Sequence, residues 1–247
     1  MKATSFSNET YEDGFSPTIE GLSRMFPKFN TLNAGVMFNH GAGGTAASFN
    51  EAYGRQGELS TRCVNEGYLG VSGDNGGTQT WGNPTSIARM ESNRQILFSM
   101  GNVEKYALVG GSMGGQNSIN FAAAAKVKPS AIVCIIPVMN VEDIRANNRD
   151  GYAPLIDAAY AGGYNETRDG QFHNPYTMRN MSKLMGIPTL IFYGASDTLC
   201  LPSFVTGYCA ADPTNRTAVS MPYGHQEEAY AAVDQNMVVD FLNDNLR

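Results

Sequence analysis

The chain has 247 residues, 42% of them hydrophobic, enough for one domain with a full core and too few for a second of similar size. Charged residues make up only 16%, the formal net charge is −6, and lysine and arginine form no cluster, which argues against nucleic acid as a partner. No stretch approaches the ~18 apolar residues of a membrane span, and residues 1–11 carry one lysine and no apolar segment, so neither membrane insertion nor a cleaved secretion signal is expected.

In chain order, residues 1–33 offer little periodic apolar sequence and predict only one strand or an irregular arm. The apolar run 34–38 predicts a buried strand, followed by His40-Gly41-Ala42-Gly43-Gly44. A second run at 68–71 leads into a loop, 73–84, rich in Gly, Asn and Thr, and Pro84-Thr85 opens a helix over 86–100. The strand 106–109 runs into Gly110-Gly111-Ser112-Met113-Gly114-Gly115 and a helix over 116–126. Further strands are predicted at 131–137, 189–193 and 217–221. A closing helix over 227–242 carries apolar residues on one stripe and Asp and Asn on the other from residue 234 onward. Short apolar runs bounded by Gly, Asn and Pro, alternating with helical spacing, predict an α/β fold with a mostly parallel sheet. Residues 140–185, rich in Asn, Tyr, Gly and Arg, interrupt the alternation and read as an insertion: either a lid or a surface excursion without a gating role.

The cysteines say little about scaffold. Four are too few for a disulfide framework, and Cys134 lies inside the apolar run 131–137 as a core residue. Cys200 and Cys209 are near enough in sequence to bridge, and both states stay open, a reducing compartment being the simpler expectation.

The chemistry concentrates at strand ends. Gly110, Ser112 and Gly114 fit G-x-S-x-G between a predicted strand and a predicted helix. A serine on a tight, strained strand-to-helix turn needs small neighbours, and the helix N-terminus beside it offers free N–H groups and partial positive charge to an oxyanion. The Met113 N–H is the expected donor. Three histidines exist, His40, His173 and His225, and His225 is favoured as general base because it follows a predicted strand in Tyr223-Gly224-His225 and precedes the last helix. His173 is the competitor, in an irregular stretch. For the acid, the strand 189–193 ends in Gly194-Ala195-Ser196-Asp197, which delivers a carboxylate; Asp143, beyond the run 131–137, is the rival. The loop 40–44 reads alternatively as a phosphate loop, although its spacing matches neither G-x-G-x-x-G nor a Walker sequence.

The HG-plus-small-residue loop, the G-x-S-x-G turn, the acid-bearing strand and the late histidine resemble the serine α/β-hydrolases, in that chain order, over residues 34–247. The resemblance implies one domain over 1–247 with the α/β-hydrolase fold: a mostly parallel central sheet flanked by helices, with an insertion after the sixth strand. It implies Ser112, His225 and Asp197 as the triad, with Ala42 as second oxyanion donor beside Met113. His40, Gly41 and Gly43 become support for the oxyanion loop. Trp81, the only tryptophan, either lines a substrate pocket or packs beneath a loop. The implied activity is cleavage of a carboxylic ester, on a small-molecule, lipid or glycan substrate, through an acyl-enzyme. Amide or peptide cleavage on the same triad and a catalytically silent adhesion or structural module are the alternatives. Neither a metal nor an organic cofactor is implied. The loop 73–84 looks like the corresponding loop of hydrolases encoded in tail-gene regions of actinobacterial phages, which implies a soluble protein of the cytoplasm or the virion.

Overall fold

The computed structural model describes residues 7–11, 22–27, 32–49 and 54–247. Eight strands form one sheet: β1 (Ser7–Tyr11), β2 (Leu22–Phe26), β3 (Ala34–Asn39), β4 (Leu69–Gly73), β5 (Lys105–Gly111), β6 (Ala131–Ile135), β7 (Thr189–Gly194) and β8 (Arg216–Met221). Their spatial order is β1-β2-β4-β3-β5-β6-β7-β8. The six strands from β4 across to β8 are parallel, while β2 runs antiparallel to both β1 and β4. The region 1–33 therefore supplies an antiparallel pair where the sequence predicts one strand or an irregular arm. The strand Ser-Asn-Glu-Thr-Tyr sits at the sheet edge, so it is specified by pairing with β2 and carries no apolar run to announce it.

The sheet is buried on both faces, which is why its central strands read as continuous apolar runs. In β3, Val36 and Phe38 point into one core with Leu59 and Cys63 of α1 (Gly54–Asn65), whereas Met37 points into the other with Met90 and Leu97 of α2 (Pro84–Ser99). The second core also takes Ile119 of α3 (Met113–Ala124). Asn83 caps α2, its side chain accepting from Ser86 N at 2.8 Å with Pro84 in the first turn.

After β6 the insertion folds into α4 (Val141–Ala146), α5 (Ala153–Ala159), α6 (Gln171–His173) and α7 (Pro175–Met178). It is docked by hydrogen bonds. Tyr160 donates to the Trp81 carbonyl at 2.7 Å, and Gln116 and Asn120 of α3 each donate to the His173 carbonyl at 2.9 Å. A third apolar cluster, including Trp81, Met113, Ile156 and Tyr160, fills the space between insertion and sheet.

The C-terminal half adds α8 (Pro202–Ala210), α9 (Glu227–Ala231) and α10 (Gln235–Leu246). The single closing helix predicted over 227–242 is thus two. Asp234 ends the first and starts the second by accepting from Asn236 N and Met237 N. All four cysteines are free and buried, so Cys200 and Cys209 do not bridge. Among the described residues no helix is long and apolar enough to cross a membrane.

Candidate active site

The serine turn is built by steric exclusion. A Cβ on Gly110 would lie 2.3 Å from the Gly114 carbonyl oxygen, and one on Gly114 would lie 2.0 Å from the Asn39 oxygen, both backbone atoms. With those positions open, α3 packs directly on β3 and β5. The bend falls on Ser112 itself, at φ 51° and ψ −120°, a conformation that costs an ordinary residue about 1–3 kcal/mol. Backbone bonds hold it: Ser112 N donates to Ile135 O at 2.9 Å, and Ser112 O accepts from Gly115 N at 3.0 Å and Val138 N at 3.1 Å.

Three more non-glycine residues with positive φ border the same region: Asn75, Trp81 and Ile136. A β-branched residue in that conformation, as at Ile136, is unusual, and strain of this kind gathers at sites where geometry is imposed.

Ser112 Oγ lies 2.8 Å from His225 Nε2, and His225 Nδ1 lies 2.9 Å from Asp197 Oδ2. His225 comes from the loop after β8 and Asp197 from the turn after β7. Gly194 lets these loops meet, since a Cβ there would lie 2.5 Å from the Tyr223 carbonyl oxygen. Asp197 is only 3% exposed, and its second oxygen accepts from Leu199 N at 2.9 Å and Cys200 N at 2.7 Å. A buried carboxylate with every lone-pair direction engaged keeps its charge and holds the imidazole in one orientation.

The loop 40–44 passes against the serine: a Cβ on Gly41 would sit 3.3 Å from Ser112 Cβ. Gly43, at φ +79°, donates to Thr78 O at 2.8 Å, and Gly44 N donates to Gly41 O at 3.1 Å. Among the described residues the N–H groups of Ala42 and Met113 have no protein acceptor. One free N–H in the loop is no phosphate cradle, but it pairs naturally with the free N–H of Met113 across the serine. His40 is fully enclosed and bonded to both sides of the loop system.

An open cleft of about 250 Å³ leads to Ser112 and His225, with Ala42, Ile136, Tyr152 and Tyr230 among its walls. Trp81 is not one of them. It is 1% exposed and packs behind Tyr152, ring centroids 4.9 Å apart. Its indole donates to Gln79 Oε1 at 3.1 Å, and its N–H backbone group to Met113 Sδ at 3.2 Å. The wall position belongs to Tyr152 of the insertion, which no motif marks in the sequence.

The competitors lie elsewhere. Asp143 pairs with Arg149, at 2.6 Å from Nε and 3.2 Å from Nη2, and not with His225. His173 lines a separate apolar cavity beside α3, of about 430 Å³, with its ring against Tyr160. Asp197, Cys200 and His225 do bring an oxygen, a sulfur and a nitrogen within 4.8 Å of one another, a set that could ligate a metal, but the oxygen and nitrogen are already joined in the hydrogen bond just described. Burial, and then the Asp197 charge, push the Cys200 thiol well above the ordinary cysteine range. It stays protonated and is no rival nucleophile.

Beneath the site runs a buried amide chain invisible to pattern reading. Asn93 donates to Asn75 at 2.9 Å, Asn75 to Asn39 at 3.0 Å, and Asn39 to Ser118 at 3.0 Å, which in turn donates to the Gly114 carbonyl at 2.8 Å. It ties the loop after β4, the end of β3 and the serine turn into one unit.

No protein-family model matches the chain, and no curated protein matches it. Solved structures do. An S-formylglutathione hydrolase from Agrobacterium tumefaciens superposes with a TM-score of 0.74 at 13% identity, covering 100% of both chains. A thermostable esterase from Pseudomonas putida gives 0.73 at 17% identity, over 100% of this chain and 85% of its own. The fluorophosphonate-binding serine hydrolase F of Staphylococcus aureus gives 0.69 at 14% identity, over 97% of this chain and 99% of its own. This chain has the α/β-hydrolase fold. In an α/β-hydrolase sheet the ends of the parallel strands carry the functional loops, and Ser112, Asp197 and His225 stand on three such loops, after β5, β7 and β8.

Proposed function

We propose that the chain is a serine esterase, a reading carried by the line Ser112 Oγ, His225 Nε2, His225 Nδ1, Asp197 Oδ2, with separations of 2.8 and 2.9 Å. Ser112 Oγ attacks the ester carbonyl while His225 Nε2 takes its proton. Negative charge that develops on the carbonyl oxygen is met by the Ala42 and Met113 N–H groups, each worth roughly 10²–10³ in rate. The tetrahedral intermediate collapses, the alcohol leaves with the proton from His225, and an acyl group remains on Ser112. Water, deprotonated by His225, then releases the acid. Asp197 accepts from Nδ1 throughout and stabilises the imidazolium.

The cleft walls of Tyr152, Ile136 and Ala42 suit the acyl group of a small ester, and the insertion acts as a wall of this site through Tyr152. The loop 73–84, whose likeness is to hydrolases of phage tail-gene regions, serves by holding His40 and Gly43 in place. On this reading the chain is an esterase of that phage-encoded kind.

A fluorophosphonate tests the proposal: it should label Ser112 stoichiometrically on folded protein, and His225→Gln should abolish both the label and the acyl-enzyme burst. Hydrolysis should rise with pH across the range in which histidines lose their proton, and His173→Gln should keep that profile. Label at Ser72 or Ser196, or none at all, would remove the esterase reading, the last outcome in favour of a silent module.

A further inference from the structure

His40 has its whole ring out of solvent, and both nitrogens face oxygens that only accept. Nδ1 lies 2.8 Å from the Gly41 carbonyl and Nε2 lies 3.0 Å from the Asp74 carbonyl. A neutral imidazole has one N–H, so either tautomer would set a bare nitrogen lone pair against a carbonyl oxygen in a site closed to water. The imidazolium alone donates to both.

A buried cation needs a counter-charge, and one stands beside it. Asp74 Oδ1 is 3.4 Å from His40 Nε2, is itself buried, and has no hydrogen-bond partner. The other elements packed on His40 bring no charge: Gly44 of its own loop lies against Cβ and Gly114 of α3 against its carbonyl. Asp74 is the ionisable group that acts on the ring. Burial alone would lower the basicity of His40, but the Asp74 carboxylate and the two carbonyls outweigh it and raise it above the ordinary 6.5.

The consequence reaches the cleft through one peptide unit. The Gly41 carbonyl that His40 grips belongs to the same planar trans peptide as the Ala42 N–H. Holding the oxygen on one side fixes the N–H on the opposite side, and a charged donor on the carbonyl polarises that N–H.

We propose that His40 is a buried imidazolium and a positioning residue: it fastens the Gly41–Ala42 peptide to the loop after β4 and thereby aims and strengthens the Ala42 N–H. The role of that N–H rests on the esterase reading above; the charge state of His40 does not. The site then has two histidines with opposite requirements, His225 neutral to accept a proton and His40 charged to hold the loop. Activity is confined to the pH interval between their titrations.

The charge is read directly by ¹⁵N NMR of the imidazole nitrogens in the double variant H173Q/H225Q, which leaves His40 as the only histidine. At neutral pH both nitrogens should give protonated signals; one bare nitrogen would overturn the proposal. Asp74→Asn keeps the backbone acceptor and removes the counter-charge. It should move the alkaline fall of kcat to lower pH by about 1–3 units, the span that an adjacent opposite charge imposes, with the acidic limb unmoved. Above that fall kcat should be lower by roughly 10²–10³ with little change in KM. An unshifted alkaline limb in Asp74→Asn would overturn the positioning role. Should Ser112 resist fluorophosphonate, the esterase reading fails by itself, and the ring-nitrogen spectrum still decides the charge of His40.

Discussion

Arg149 donates from Nη1 to the carbonyl of Thr198, the residue after Asp197, at 3.1 Å. The same guanidinium holds Asp143 through Nε and Nη2, so the insertion is strapped to the acid-bearing turn. Asp143, which the sequence offers as a rival acid, is the counter-ion of that strap.

The two carboxylates are therefore separable by mutation. Asp197→Asn should melt like the parent and lose up to ~10⁴ in kcat, because His225 would be held in the wrong tautomer. Asp143→Asn should cost far less activity, since it loosens only the strap. Steady-state rates on one chromogenic ester, with thermal melts alongside, check this; the reverse ranking would reassign the acid.

His40 and His173 should bend the stability curve at opposite ends. His40 binds its proton more tightly folded than unfolded, so its contribution is fully present below the unfolded value of 6.5 and is lost as pH rises through the higher folded value. His173 is the opposite case. Burial is the main cause that lowers its folded value, so its contribution is present above 6.5 and is lost as pH falls through the folded value. Melting temperatures across roughly pH 5–9 should show a shallower alkaline decline in His40→Gln and a shallower acidic decline in His173→Gln. Identical curve shapes for the two variants would contradict the opposed shifts.

Gly114→Ala should fail to give labelled, folded protein, because its Cβ would meet the Asn39 carbonyl at 2.0 Å and neither backbone can withdraw. Gly101→Ala is the control. The atom it meets, at 2.9 Å, is the end of the Leu69 side chain, which can turn away. Soluble yield and fluorophosphonate labelling distinguish the two, and a well-labelled Gly114→Ala would show that the turn tolerates a displacement the packing forbids.

Tyr152 and Trp81 should separate selectivity from packing. Tyr152→Ala opens the cleft wall and should move the preferred acyl chain of an ester series toward greater length. Trp81→Phe should instead lower the melting temperature by removing a buried indole and its bond to Gln79. A chain-length shift in Trp81→Phe with none in Tyr152→Ala would place the wall at the tryptophan after all.

What the sequence by itself determined was whatever short-range pattern encodes. Runs such as 106–109 and 189–193 become strands because neighbouring residues alternately feed two cores, and both faces are covered. The glycines around Ser112 make a turn because a Cβ there meets backbone within a few residues or across one strand. The order of serine, aspartate and histidine after successive strands is likewise a local reading, repeated three times. Tertiary structure decided the partnerships. Ser112 and His225 are 113 positions apart, and His40 and Asp74 are 34 apart; no periodicity links such pairs, and only the stacking of parallel strands brings their loops to one edge. For the same reason the edge strand β1 was illegible, since a polar segment becomes a strand only through the neighbour that pairs with it. The choice of Tyr152 over Trp81 as cleft wall, and of Asp197 over Asp143 beside His225, likewise followed from how the insertion docks, because burial and hydrogen-bond partners are properties of the packed chain and not of any segment of it.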